Sequence, residues 1–213
     1  DVADTNGCIA LLERANNEFG QIDVLINNAG MHSRGDLETV NTTDVGAMVD
    51  INLRAPFVLS CAAIPYLKKS VSGAIVMVGS LAGMAPLQGA ATYSGTKSGL
   101  RAFTYAISDE LRETGIHVGL VSPGPIDTGF IMTEIDKVED IVFSQPMSNT
   151  NDVADAIVSI AKGDTVEITM PASSGKLVTL SYLFPALRRL LRPALYKRGR
   201  KNKDKYRNRT LSN

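Results

Sequence analysis

Apolar residues change their spacing several times along this chain, and each change marks a predicted element. From Asn6 to Phe19, Ile9, Leu11, Leu12 and Ala15 recur at helical spacing and Gly20 follows as a stop. The run "DVLIN", 23–27, is short and apolar and reads as a strand buried on both faces. Residues 42–69 carry a long helical pattern, expected to break or bend near Pro56 and Pro65. "GAIVMVGS", 73–80, is rich in β-branched residues and predicts a second strand. Residues 93–113 predict another helix, and "GIHVGLVSPG", 115–124, a third strand. "NTNDVADAIVSIAKG", 149–163, opens on polar capping residues and closes on glycine as a helix does, and "TVEITM", 165–170, predicts a fourth strand.

Strands alternating with helices at this spacing imply right-handed βαβ units and a doubly wound parallel sheet of the α/β class. In such a sheet, ligands bind beyond the carboxyl ends of the strands. Three tracts fall there: "NNAG", 27–30, "GSLAG", 79–83, and "SPGP", 122–125.

Composition agrees with a folded domain, at 44% hydrophobic and 21% charged over 213 residues. Cys8 and Cys61 are too few for a disulfide framework and lack metal-ligand spacing, so reduced thiols, a cytoplasmic setting and no metal site are expected. Net charge is zero, but residues 1–175 hold 10 Lys/Arg against 21 Asp/Glu, whereas residues 176–213 hold 12 Lys/Arg and one acid, Asp204. An acidic body with a basic tail is the result.

The chemistry concentrates in "GSLAGMAPLQGAATYSGTK", 79–97. Four residues of helix return to nearly the same face, so Tyr93 and Lys97 are neighbours in space. A nearby ammonium stabilises a phenolate, and a phenol so tuned can exchange a proton with a carbonyl or alcohol oxygen while a hydride moves. Ser80, at the tip of the preceding strand, can hydrogen-bond that oxygen. Taken alone, a Tyr-x-x-x-Lys spacing is as easily a helix surface; NNAG and Pro-Gly-Pro are as easily tight turns.

The ordered set "NNAG" 27–30, Asn52 in "DINL", "VGSLAG" 78–83, "YSGTK" 93–97 and "SPGPIDT" 122–128 resembles the short-chain dehydrogenase/reductase family over roughly residues 1–172. The resemblance implies a Rossmann-like sheet, here lacking its first βαβαβ portion, and a catalytic tetrad of Asn52, Ser80, Tyr93 and Lys97. It implies NADP or NAD as cofactor. Asp1 and Val2 would bracket the adenine, Asn28, Ala29 and Gly30 would line the adenosine side, Tyr93 and Lys97 would face the nicotinamide ribose, and Pro123, Gly124, Pro125, Ile126 and Thr128 would touch the nicotinamide. Asn52 would anchor a proton-relaying water, or else stabilise a helix kink. The family's TGxxxGIG turn, which binds pyrophosphate at a helix N-terminus, does not occur in the sequence. The chain is therefore read as an N-terminally truncated fragment, expected to leave an apolar strand edge open, to bind no dinucleotide tightly and to be inactive by itself.

The implied function of the parent is hydride transfer between a nicotinamide cofactor and an alcohol or carbonyl substrate, apolar or lipid-like. Alternatives are an epimerase or dehydratase on the same scaffold, or a non-catalytic nucleotide-sensing protein. Residues 126–148 occupy the place of the family's substrate loop, with Phe130, Ile131 and Met132 as an apolar lid. The 173–213 tail alternates apolar residues with Arg188, Arg189 and Arg192; its apolar stretch 177–187 is too short to span a bilayer. It suits an amphipathic helix at an anionic membrane surface, a basic face docked on the acidic body, or a helix over the substrate pocket. Nucleic acid is not an expected partner. Homo-oligomerisation through the 42–69 and 93–113 helices is implied by the resemblance, and His32 is expected to be a solvated loop histidine.

Overall fold

The computed structural model describes residues 1–210, so the last three residues of the 173–213 tail lie outside the described residues. Four parallel strands, β1 (Val24–Asn27), β2 (Ala74–Val78), β3 (His117–Pro123) and β4 (Glu167–Met170), lie in the order β1-β2-β3-β4. Their register places Val24 beside Ala74, Ala74 beside His117, and Leu120 beside Glu167. Every predicted strand is present, shortened by the residues that turn into loops.

Alternation along β2 splits the core. Ile75 and Met77 join Cys8 and Leu12 of α1 (Thr5–Phe19), Leu59, Ala63 and Leu67 of α3 (Ala55–Leu67), and Leu100 of α4 (Ala91–Glu110) on one face. Val76 joins Val121 with Val153, Ala156 and Ile160 of α6 (Thr150–Ala161) on the other. Helices on both faces make the sheet doubly wound. Local chemistry fixes the helix ends: Asp4 accepts from the Asn6 amide at 3.0 Å, Asn149 accepts from the Asp152 amide at 2.8 Å, and Gly20 closes α1 at φ 77°.

The long 42–69 pattern deforms beside Pro56, as the sequence predicts, but does not break at Pro65. Helix α2 (Thr42–Val49) passes into one π turn, Asp50–Arg54, before α3, and Ala55 N–H reaches back to the Asp50 carbonyl. Pro56 explains the widening, because it has no N–H for the Asn52 carbonyl and its ring crowds that carbonyl. Pro65 lies inside α3 without ending it. The run Thr42–Leu67 is long and apolar enough to cross a membrane by composition, yet Leu59, Ala63 and Leu67 lie in the sheet's core.

Helix α4 is anchored at two levels. Arg101 forks onto Glu167, with Nε to Oε1 at 3.0 Å and Nη2 to Oε2 at 2.7 Å, while Ser122 Oγ donates at 2.8 Å and Tyr105 OH at 2.6 Å. Burial opposes ionisation of Glu167, but these bonds outweigh it and hold the carboxyl below its ordinary 4.5. One turn earlier, the 3-10 turn Leu81–Gly83 lies on the helix so closely that a Cβ on Gly83 would stand 2.6 Å from the Lys97 carbonyl oxygen. Only glycine fits.

Two tail helices, α7 (Ala172–Leu183) and α8 (Pro185–Thr210), follow β4. α8 lies against the 134–144 segment. Asp140 pairs with Arg200 at 3.0 Å and Lys203 at 3.3 Å, Asp136 pairs with Arg207, and Tyr196 OH donates to Glu139 at 2.9 Å. The distal part of the basic tail therefore docks on acids of the body. Among the described residues β1 is an outer strand of the sheet, and Val24 and Ile26 are exposed, unlike the strand buried on both faces that the sequence predicts.

Gly83→Ala is expected to lower unfolding stability by about 1–3 kcal/mol, since backbone must move to admit the methyl. Gly95→Ala, with nothing within 4 Å of the added atom, is expected to be neutral or stabilising by up to about 1 kcal/mol. Denaturant midpoints of the two variants measure both; equal losses would contradict the close packing at position 83.

Candidate active site

The carboxyl ends of β1, β2 and β3 meet at a cavity of about 840 Å3. Asn28, Ala29 and Gly30 line it after β1, Ser80 after β2, Tyr93 and Lys97 from α4, and Pro123–Ile126 with Thr128 after β3. Loops that follow separate strands thus converge on one space. Asn52 is fully buried just behind it, and Asp1 and Val2 lie outside the lining, Val2 packed on the core beside α1.

Ser80 caps the 3-10 turn, its Oγ accepting from the Ala82 amide at 3.1 Å, which aims the hydroxyl across the strand end. It hydrogen-bonds the Tyr93 phenol. Lys97 is 5% exposed, and its Nζ donates to the Val78 carbonyl at 2.8 Å and sits 5.8 Å from the Tyr93 ring centroid. Tyr93, Ser80 and Lys97 therefore occupy one side of the cavity. Burial drops the Lys97 amine from its ordinary 10.5 to about 8.

Tyr93 departs from expectation in its electrostatics. Burial pushes the phenol above its ordinary 10, while the Ser80 hydrogen bond and the charge of Arg34 pull the other way. Of the cations, Arg34 acts on it most. At neutral pH the phenol is held in its protonated form.

Asn52 sits in the π turn. Its Nδ2 donates to the Met31 carbonyl at 2.8 Å and its Oδ1 accepts from the Met31 amide at 2.8 Å, so it pins the chain just past NNAG. A Cβ on Gly30 would lie 3.3 Å from Asn52 Oδ1 and 3.7 Å from Lys97 Nζ. Both side chains flank the same bare backbone.

His32 is not a solvated loop residue. Its ring stacks on Tyr93 with centroids 4.1 Å apart and planes 10° apart, and Arg34 Nη1 donates to its Nδ1 at 2.9 Å. A guanidinium only donates, so Nδ1 accepts and the proton is on Nε2. Burial, with the charges of Arg34 and Lys97, lowers the imidazole from 6.5 to about 3. Arg34 has a side chain 7% exposed, donates from Nη2 to the Phe130 carbonyl at 3.0 Å and lies 3.8 Å from Glu134. Neither residue belongs to a sequence motif that marks a site; their position two and four places after NNAG is the only signal.

In the 126–148 segment, Phe130 and Ile131 of α5 (Gly129–Met132) line the cavity, and Met132 packs with Ile135, Val138 and Phe143 behind it. α7 and α8 complete the wall with Leu177, Val178, Leu191 and Leu195. The tail is thus also a cover over the pocket.

A strand-end cavity holding Ser, Tyr and Lys on a doubly wound parallel sheet defines a class, and sequence comparison agrees. The family model for short chain dehydrogenase matches residues 1–169, and the chain belongs to that family. It is 38% identical over 130 residues to an uncharacterized oxidoreductase of Staphylococcus saprophyticus, covering 60% of this chain and 53% of that protein. It is 34% identical over 170 residues to the ketoacyl reductase HetN of Nostoc sp., covering 79% and 58%. To the 3-oxoacyl-[acyl-carrier-protein] reductase FabG of Escherichia coli it is 28% identical over 173 residues, covering 79% and 71%. The chain spans little more than half the length of the first two relatives.

The depressed imidazole makes stability depend on acid. Between pH 6.5 and about 3 the unfolded chain binds a proton at His32 that the folded chain refuses, so this residue lowers stability as pH falls through that window. Replacing it by glutamine is expected to flatten the decline of the unfolding free energy with acid across the same interval. Parallel slopes for parent and His32→Gln would show that the ring reaches water.

Proposed function

We propose that the whole protein is a nicotinamide-dependent oxidoreductase that reduces a carbonyl group on an apolar substrate. The observation that carries this is the convergence of Tyr93, Ser80 and Lys97 with Asn28–Gly30 on a single cavity. Gly30 supports a flat cofactor ring on that wall, because any side chain there would fill the space before Asn52 and Lys97. Lys97 and Thr128 fit the ribose and amide of a nicotinamide, whereas the 213 residues contain no glycine-rich turn for its pyrophosphate. When bound, the cofactor supplies the hydride.

The chain's own residues handle the proton. Ser80 donates a hydrogen bond to the substrate oxygen and fixes it beside the phenol. Tyr93, protonated at neutral pH, gives its proton to the oxygen as negative charge develops there. This favours reduction over oxidation, which would need the phenolate that burial disfavours. Lys97, titrating near 8, is the adjacent donor that can reprotonate Tyr93. Asn52 keeps the Met31 backbone, and with it His32, in place against the phenol ring.

Two helices with exposed apolar residues, Val49 on α2 and Tyr105 on α4, support homo-oligomerisation. The proximal tail supports peripheral contact with an anionic membrane: Leu183 is 66% and Leu190 76% exposed, and Phe184 is also exposed beside Arg188, Arg189 and Arg192. The cover that α7 and α8 form over the site would then face the bilayer.

In the whole protein, Tyr93→Phe is expected to lower NADPH- or NADH-dependent reduction across a carbonyl panel by about 10²–10⁴. Undiminished turnover in that variant would overturn the assignment of the proton donor. A triple change, Leu183→Glu with Phe184→Glu and Leu190→Glu, is expected to abolish flotation with phosphatidylserine vesicles. Equal flotation of both proteins, or none by the parent, would remove membrane contact.

A further inference from the structure

We propose that the cavity takes an acyl chain bearing a phosphate ester, with the phosphate drawn to the α8 wall where Arg188 and Arg198 carry uncompensated charge and the chain lying against Leu191 and Leu195. The inference rests on the reading of this cavity as the reduction site. Its lining contains four cations, Arg34, Lys97, Arg188 and Arg198, and no aspartate or glutamate. That is notable in a body whose first 175 residues carry 21 acids and 10 bases. A wall with one sign of charge selects ligands of the other.

The four cations are not equally occupied. Lys97 is bonded to the Val78 carbonyl at 2.8 Å, and Arg34 is held by His32, the Phe130 carbonyl and the Glu134 carboxylate 3.8 Å away. Arg188 and Arg198 have no carboxylate partner among the described residues. Both lie on α8 and both line the cavity together with Leu191 and Leu195. Positions 188, 191, 195 and 198 follow helical spacing and share one face, and the two arginines are separated by about 15 Å of helix rise.

Charge on α8 is therefore sorted by face. Arg200, Lys203 and Arg207 are neutralised by Asp140 and Asp136 on the loop side, whereas the cavity side keeps its charge. Guanidinium groups bind phosphate through paired N–H donors, and a leucine surface between them accepts a hydrocarbon chain. The inner end of the cavity, at Ser80 and Tyr93, receives the carbonyl. Either a soluble phosphate-headed acyl compound or a bilayer lipid can present this chemistry.

Calorimetry on the full chain tests it without any cofactor. The probe is a lysophosphatidic acid short enough to stay monomeric, compared with the monoacylglycerol of the same chain. The phosphate probe is expected to bind at least about tenfold more tightly. Arg188→Gln with Arg198→Gln is expected to erase that preference while changing the neutral probe's affinity by less than about twofold, the scale of a surface charge change. A control that removes equal charge outside the cavity, Arg189→Gln with Lys201→Gln, is expected to keep it. Equal affinity for the two probes, or an equal loss in the control, would overturn the proposal. Preference for the monomeric probe over the same lipid in neutral vesicles assigns a soluble source, and the reverse a membrane source. Retained preference in a protein without carbonyl reductase activity would leave the head-group site standing and sink the functional reading; activity without preference would do the opposite.

Discussion

The Lys97 ammonium, almost wholly out of water, donates to the Val78 carbonyl at the end of β2, and the surrounding structure is arranged to permit this. A buried cation with one neutral partner is unfavourable enough to lose proton affinity, which is why its amine titrates near 8. To bring it there, α4 must approach the strand end at backbone contact, and Gly83 allows that. The Arg101–Glu167 fork then fixes the helix one turn further on, against β4. Moving either anchor would move the phenol of Tyr93 relative to Ser80.

The opposite wall is assembled differently. Its lid segment has few core residues of its own, four of them in a cluster around Phe143, and it is stabilised by α8 through Asp136, Glu139 and Asp140. Burial opposes charge on Asp140, while Arg200 and Lys203 more than offset it and keep its carboxyl below the ordinary 3.8. Rigid backbone thus positions Tyr93, Ser80 and Lys97, and a charge-clamped loop forms the facing wall. The His32–Arg34 pair joins the two, one ring against Tyr93 and one guanidinium against the Phe130 carbonyl.

The alternation of strands with helices and the runs after each strand were legible in the sequence because continuous apolar runs and turn chemistry are local. So was the Tyr93–Lys97 pairing, which needs only helical geometry. The π turn at Asp50–Arg54 was not: proline marks where a helix deforms but not whether the deformation falls before or after it, and the wider turn depends on how Asn52 is used by Met31. The place of His32 is not legible in the sequence, because a loop position says nothing about the ring it will stack upon. The tail's basic residues looked alike in sequence, and only the approach of α8 to Asp140 separates those that are paired from those that are not.

The clamp between α8 and the lid is made of ion pairs, several of them at the protein's surface. Such contacts weaken as the surrounding electrolyte thickens. Ionic strength is therefore a dial on how readily the cover lifts from the pocket, and the breathing of this mouth in a dilute medium and in a concentrated one should differ even though the strands beneath it stay the same.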